Sequence, residues 1–124
     1  MSSESQVVGW ADPADRPRFT DPTAVFESVH ELLGRKWHLR IVYYLLEEGP
    51  LGFSDLKEAV DGVSSKMLSE SLSSLDDHGV VTRNIVNDQP VRVEYSLTER
   101  GRALGPTVDS LVRWEHDYGL AGAE

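Results

Sequence analysis

Apolar positions recur along the chain with two periods, and the change from one to the other divides it. Between Pro22 and Leu33 they fall at Val25, Phe26, Val29, Leu32 and Leu33, spaced for one face of a helix. Asp21-Pro22 supplies an N-cap followed by proline at the first helical position, and Gly34 supplies a stop. From Lys36 to Glu48 the run K-W-H-L-R-I-V-Y-Y-L-L-E-E is apolar around most of its circumference, which predicts the central core helix, ended by Gly49-Pro50. Leu51-Gly52-Phe53 reads as a brief extended link. A short helix from Ser54 to Val60, a break at Asp61-Gly62-Val63 and a second helix from Ser65 to about His78 follow. Ser54 and Ser64 stand at the cap positions and Gly62 and Gly79 at the exits.

Two capped helices joined by a glycine-containing turn make a helix-turn-helix candidate. The second helix sets Leu68, Leu72 and Leu75 on one stripe and leaves Ser65, Lys66, Ser69, Glu70 and Ser73 on the other side. After Gly79 the period becomes two. Val80 to Asn87 alternates, Asp88-Gln89-Pro90 turns, and Val91, Val93, Tyr95 and Leu97 interleave with Arg92, Glu94 and Ser96. A hairpin directly after a helix-turn-helix makes a winged helix. Thr98 then caps a last helix with Glu99 in its first turn, and Gly105-Pro106 predicts a kink inside it.

The predicted fold is therefore mainly α with a small β-hairpin (α+β), a winged helix-turn-helix with extra N- and C-terminal dimerisation helices. Its units are an irregular N-terminal arm over 1–20, with Trp10 and Phe19 as anchors, the winged domain with its flanking helices over 21–118, and a tail over 119–124. The surplus apolar faces predict a dimer. Val25, Phe26 and Val29 serve from the first helix, and Leu104, Val108, Leu111, Val112, Trp114 and Tyr118 from the last.

Composition then narrows the chemistry. A chain of 124 residues fits one domain. No run approaches the roughly 20 apolar residues that span a bilayer, and the N-terminus lacks a signal-peptide pattern, so no membrane association and a cytoplasmic location are expected. The chain has no cysteine, which excludes disulfides and thiolate chemistry. His30, His38, His78 and His116 lack zinc-ligand spacing, and no H-E-x-x-H, G-x-S-x-G or phosphate-loop pattern occurs, so neither enzymatic activity nor a cofactor nor a metal site is expected.

A net charge of −9 opposes the basic footprint of a DNA binder. Lys36 to Arg102 carries eight basic and eleven acidic residues, so this segment holds −3 and the flanks −6. Arginine outnumbers lysine nine to three, and acids outnumber both together. Adaptation to high salt accounts for such a balance. Under that salt counterion release adds little to binding in any case.

Five ordered blocks then carry a family resemblance: L-L-G-R-K-W-H-L-R-I-V-Y-Y-L from Leu32, G-P-L-G-F-S-D-L-K from Gly49, V-S-S-K-M-L-S-E-S-L from Val63, G-V-V-T-R from Gly79 and P-V-R-V-E-Y-S-L-T-E-R-G from Pro90. Together they resemble the HxlR-type winged helix-turn-helix transcriptional regulators of the wider MarR and PadR group, and the acidity suggests a haloarchaeon or other extreme halophile as source. The resemblance implies a homodimer paired through its terminal helices, a recognition helix beginning near Ser64 and Lys66, and a wing whose tip is Asn87 to Arg92. Two departures stand out. Many relatives carry a reactive cysteine near the position of Ala24, where this chain has none, and Glu70, Asp76 and Asp77 are acids where relatives more often place neutral or basic residues.

Placed in such a motif, Ser64, Ser65, Lys66, Ser69 and Ser73 are DNA-contact candidates, since helix-start N–H groups and hydroxyls suit phosphate oxygens and Lys66 adds a charge or a guanine contact. Glu70 is either an acceptor from cytosine N4 or a solvated acid. Ser54 is a cap first and a phosphate ligand second. At the wing, Gln89 and Arg92 fit a minor-groove or phosphate contact, against plain exposure, and Arg83 and Lys36 are weaker backbone candidates. The expected function is sequence-specific DNA binding by a homodimeric transcription regulator on a pseudo-palindromic operator, salt-adapted and stress-responsive, with double-stranded DNA, a second copy and inorganic salt ions at the DNA interface as partners. The alternative is a winged-helix protein-interaction module that contacts the transcription machinery without touching DNA.

Overall fold

The computed structural model describes residues 21–120. The arm and its anchors Trp10 and Phe19, and most of the tail, lie outside the described residues. In chain order the elements are α1 (Pro22–Leu33), α2 (His38–Glu48), β1 (Leu51–Gly52), α3 (Phe53–Ala59), α4 (Ser65–Asp77), β2 (Val81–Asp88), β3 (Val91–Leu97), α5 (Glu99–Arg102) and α6 (Gly105–Tyr118). This is the winged-helix arrangement, α+β with one small antiparallel sheet in the order β1-β3-β2.

Local signals account for most of the boundaries. The Asp21 carboxylate accepts from the Thr23 N–H at 3.1 Å, beside a proline whose missing N–H is no loss in the first turn. Gly49 ends α2 at φ +82°, a backbone conformation that side-chain-bearing residues rarely adopt. The end of α4 is a Schellman motif: Gly79 takes φ +74°, its N–H donates to the Asp76 carbonyl, and the Val80 N–H donates to the Leu75 carbonyl. Leu75 and Val80 are both fully buried, supplying the apolar contact that accompanies this motif.

The core lies between α2, α3, α4 and the base of the sheet. Ile41, Val42 and Leu45 from α2 meet Leu56 and Val60, Leu68, Leu72 and Leu75, and Val80, Val81 and Leu97. Full burial of one such aliphatic side chain contributes about 1.5–3 kcal/mol, so this cluster rather than helix propensity holds the short helices in place. Sequence periodicity gives no warning of His38, which is 2% exposed at the start of α2. Its Nδ1 lies 2.6 Å from the Leu32 carbonyl oxygen, which can only accept, so Nδ1 carries the proton and closes the end of α1 onto α2. Burial pushes the imidazole pKa below its ordinary value, partly offset by that hydrogen bond, with Arg35 and His78 adding to the lowering.

Three features differ from the sequence expectation. Helix α2 starts at His38 rather than Lys36, with Trp37 at its cap. Ser54 is not a cap: Gly52, extended at ψ 172°, is the N-cap of α3 and makes no side-chain hydrogen bond. The cause is the pairing of Leu51 with Tyr95 and Gly52 with Glu94, which makes the expected link an edge strand and releases the chain into the helix at Phe53. The last helix is broken, not kinked. It stops after α5, turns at Ala103 and Leu104, and restarts with Pro106 in the first turn of α6, where a missing N–H interrupts no bond.

Candidate nucleic-acid interface

The turn between α3 and α4 is built from Gly62 at φ +92°, buried Val63, and Ser64 in an extended conformation. The Ser64 hydroxyl oxygen accepts from the Met67 N–H at 3.0 Å. That bond uses a lone pair and leaves the hydroxyl hydrogen to donate outward. Leu68, Leu72 and Leu75, joined by Ser71, fix one face of α4 in the core, so Ser65, Lys66, Ser69, Glu70 and Ser73 are all turned to solvent. Met67, 40% exposed, belongs to the same outer surface. The sequence reading missed it, although its one-residue offset from Leu68 was the available signal.

The wing is the β2–β3 hairpin, in register at Val81 with Leu97, Arg83 with Tyr95 and Ile85 with Val93. A bulge between Ile85 and Asn87 shifts the pairing so that Asn87 faces Arg92 and Asp88 faces Val91. The Asn87 carboxamide oxygen accepts from the Gln89 N–H at 3.2 Å and shapes the Gln89-Pro90 turn. Gln89, Arg92 and Arg83 are exposed. Equally exposed, and not anticipated, are the apolar side chains Ile85 at 62% and Val91 at 64%, so the outer wing has no protomer core beneath it.

Lys36 stands near this region through Trp37. Its Nζ lies 4.8 Å from the indole ring centroid, and the Arg40 guanidinium lies 5.0 Å from it. The Trp37 ring rests against Gly62 in the helix-turn-helix turn. The fold therefore brings Lys36, and with it the unanticipated Arg40, toward the turn that precedes α4. Ser54 is exposed within α3. Glu70, Asp76 and Asp77 keep α4 acidic along its exposed length, balanced there only by Lys66.

The terminal helices present separate apolar faces. Val25, Phe26 and Val29 are exposed on α1, with Phe26 at 69%, and Leu111, Val112, Trp114 and Tyr118 are exposed on α6. Val108 and Leu104 differ: Val108 is buried in the protomer core, and Leu104, half-buried, packs against it. Among the described residues no cluster of three or more potential ligands is placed to hold a metal, and no helix is long and apolar enough to cross a membrane.

A buried-backed helix after a glycine turn, followed by a hairpin, defines the class of winged helix-turn-helix transcriptional regulators. Residues 32–122 match the model of the HxlR-like helix-turn-helix family, and the chain belongs to that family. It is 41% identical over 91 residues to the uncharacterised HTH-type transcriptional regulator YdzF of Bacillus subtilis (strain 168), covering 73% of this chain and 84% of that one. Among solved structures it is similar to a protein described as a MarR-family transcriptional regulator from Enterococcus faecalis V583, with a TM-score of 0.73 at 29% identity over 88% of this chain and 98% of the other. Reduced YodB from B. subtilis superimposes with a TM-score of 0.69 at 32% identity, over 84% and 99% of the two chains. YodB has also been captured diamide-treated and quinone-bound. This chain has no cysteine to receive such reagents.

Proposed function

We propose that the chain is a sequence-specific DNA-binding regulator that acts in the cytoplasm as a homodimer on a pseudo-palindromic operator. The observation that carries this reading is the face of α4 bearing Ser65, Lys66, Ser69, Glu70 and Ser73, held outward by a fully buried leucine stripe. In the proposed complex α4 enters the major groove and the wing lies on the flanking backbone or in the minor groove, with Gln89 and Arg92 nearest the DNA. Exposed apolar faces on α1 and α6 support pairing through these helices, which sets half-sites one helical turn of about 34–36 Å, or a multiple, apart. The acidic balance supports adaptation to high salt, with inorganic cations between α4 carboxylates and phosphates. A stress-response role, through a signal other than a thiol, is part of the same proposal.

Anisotropy titration of promoter DNA across salt concentrations, into molar KCl, tests the reading. Specific binding to a palindromic site supports it, and absence of sequence-specific binding at every salt overturns it. A second reading draws on the net charge of −9 and on Glu70, Asp76 and Asp77 beside the recognition face: the winged helix contacts a basic surface of the transcription machinery and leaves DNA alone. Loss of DNA binding on replacing Lys66 and Arg92, with partner capture intact, distinguishes the first reading from the second.

A further inference from the structure

A cleft of about 560 Å³ opens between α2, the end of α3 and α6, a volume typical of small-molecule sites. Its walls are mostly apolar, and two of them, Leu111 and Val112, belong also to the exposed α6 face assigned above to pairing, so the site is one that pairing must leave open. Tyr43 and Tyr44, consecutive on α2, both line it, with ring centroids 5.0 Å apart and planes at 81°, an edge-to-face pair. Three charged side chains reach its lining: Arg40, Asp61 and Glu115. The Arg40 guanidinium is engaged with the Trp37 ring. Asp61 and Glu115 form no ion pair among the described residues. The cleft thus combines electron-rich aromatic faces and apolar walls with two carboxylates against one guanidinium.

We propose that this cleft binds a small lipophilic cation, an amine or quaternary ammonium group carried on an aromatic or alkyl body. The apolar body fits the walls, the tyrosine faces attract the cationic head through the ring quadrupole, and the two carboxylates supply the opposite charge. An anionic ligand of the same shape meets two carboxylates against the single Arg40 guanidinium, which keeps its charge over the Trp37 ring and leaves the lining one net negative charge. The position gives such a ligand leverage. Asp61 lies in the turn that launches α4, and Glu115 lies on α6, so an occupant touching both favours whichever spacing of turn and terminal helix it fits best.

Binding is read without DNA, so its outcome is separate from that of the operator reading. The intact protein is titrated by calorimetry with benzyltrimethylammonium and, in parallel, with benzoate, at the lowest salt that keeps it folded. The expected result is one saturable site per protomer for the cation and none for benzoate. Tyr43→Ala should weaken the cation roughly two- to thirtyfold, the span of a cation–π contact from exposed to desolvated, and Asp61→Asn and Glu115→Gln should each weaken it roughly 1.5- to fivefold, the span of exposed ion pairs. All three positions are exposed, and unchanged circular dichroism confirms that the variants fold. Absence of saturable cation binding, equal binding of benzoate, or indifference to all three substitutions overturns the proposal. So does hydrogen exchange showing the cleft closed by a second copy at every concentration tested.

Discussion

The Thr98 hydroxyl donates to the Gly79 carbonyl oxygen at 2.6 Å and accepts from the Gly101 N–H at 3.0 Å. One side chain thereby joins the exit of α4 to the end of β3, while capping α5. Arg100 repeats the connection, its Nε donating to the His78 carbonyl at 3.0 Å. Thr98→Val should lower the unfolding free energy by about 1–2 kcal/mol, through loss of the cap and of the carbonyl's partner, and Thr98→Ser should recover most of it. Urea denaturation measures both.

Gly101 is buried, and a Cβ there would collide with the Val80 carbonyl oxygen, which is backbone and cannot rotate away. Gly101→Ala should therefore cost about 1–3 kcal/mol, as overpacked sites do, in spite of a helical backbone that otherwise welcomes alanine. A midpoint unchanged in urea would contradict this packing.

Lys66→Ala and Arg92→Ala should each weaken operator binding and reduce the slope of log affinity against log salt by about one, with stability within roughly 0.5 kcal/mol of the parent. Fluorescence anisotropy at four salt concentrations gives both quantities. A slope unmoved by either substitution removes these side chains from the phosphate contacts.

Phe26→Glu and Trp114→Glu should yield folded monomers in analytical ultracentrifugation, because both side chains are exposed on one copy. Val108→Ala should act differently, destabilising the protomer by about 1–3 kcal/mol, since that side chain is enclosed by the copy's own core.

The depressed pKa of His38 fixes the sign of a pH effect. The unfolded chain takes up a proton near pH 6.5 that the folded chain resists, so stability is complete above that value and falls as pH drops below it, levelling once the folded imidazole also protonates. His38→Gln should flatten the segment of the stability curve between pH 7 and 5. Thermal melts of both proteins over that range check it.

Helix and strand order were legible because the signals are local. Asp21-Pro22, Ser64, Gly79 and Thr98 each cap a helix end within four residues, and the leucine stripe of α4 has a clear 3.6-residue period. What escaped depends on residues far apart in sequence. Gly52 caps α3 only because β1 pairs with β3, more than forty positions on. His38 is buried because α1 folds back over the start of α2. The exposed candidates Lys66 and Arg92 were readable as positions on a motif, whereas the bare apolar wing required knowing which side the core occupies.

The interruption at Ala103 and Leu104 carries a consequence for the proposed dimer. Because α5 ends there, the direction of α6 is not inherited from the wing, and α6 rests instead on α2, the same helix against which α3 and α4 are seated. Helix α2 is thus the common wall between α6 and the helix-turn-helix. In the proposed dimer, a change of tilt at that wall would therefore move α4 relative to the pairing helices of both copies at once.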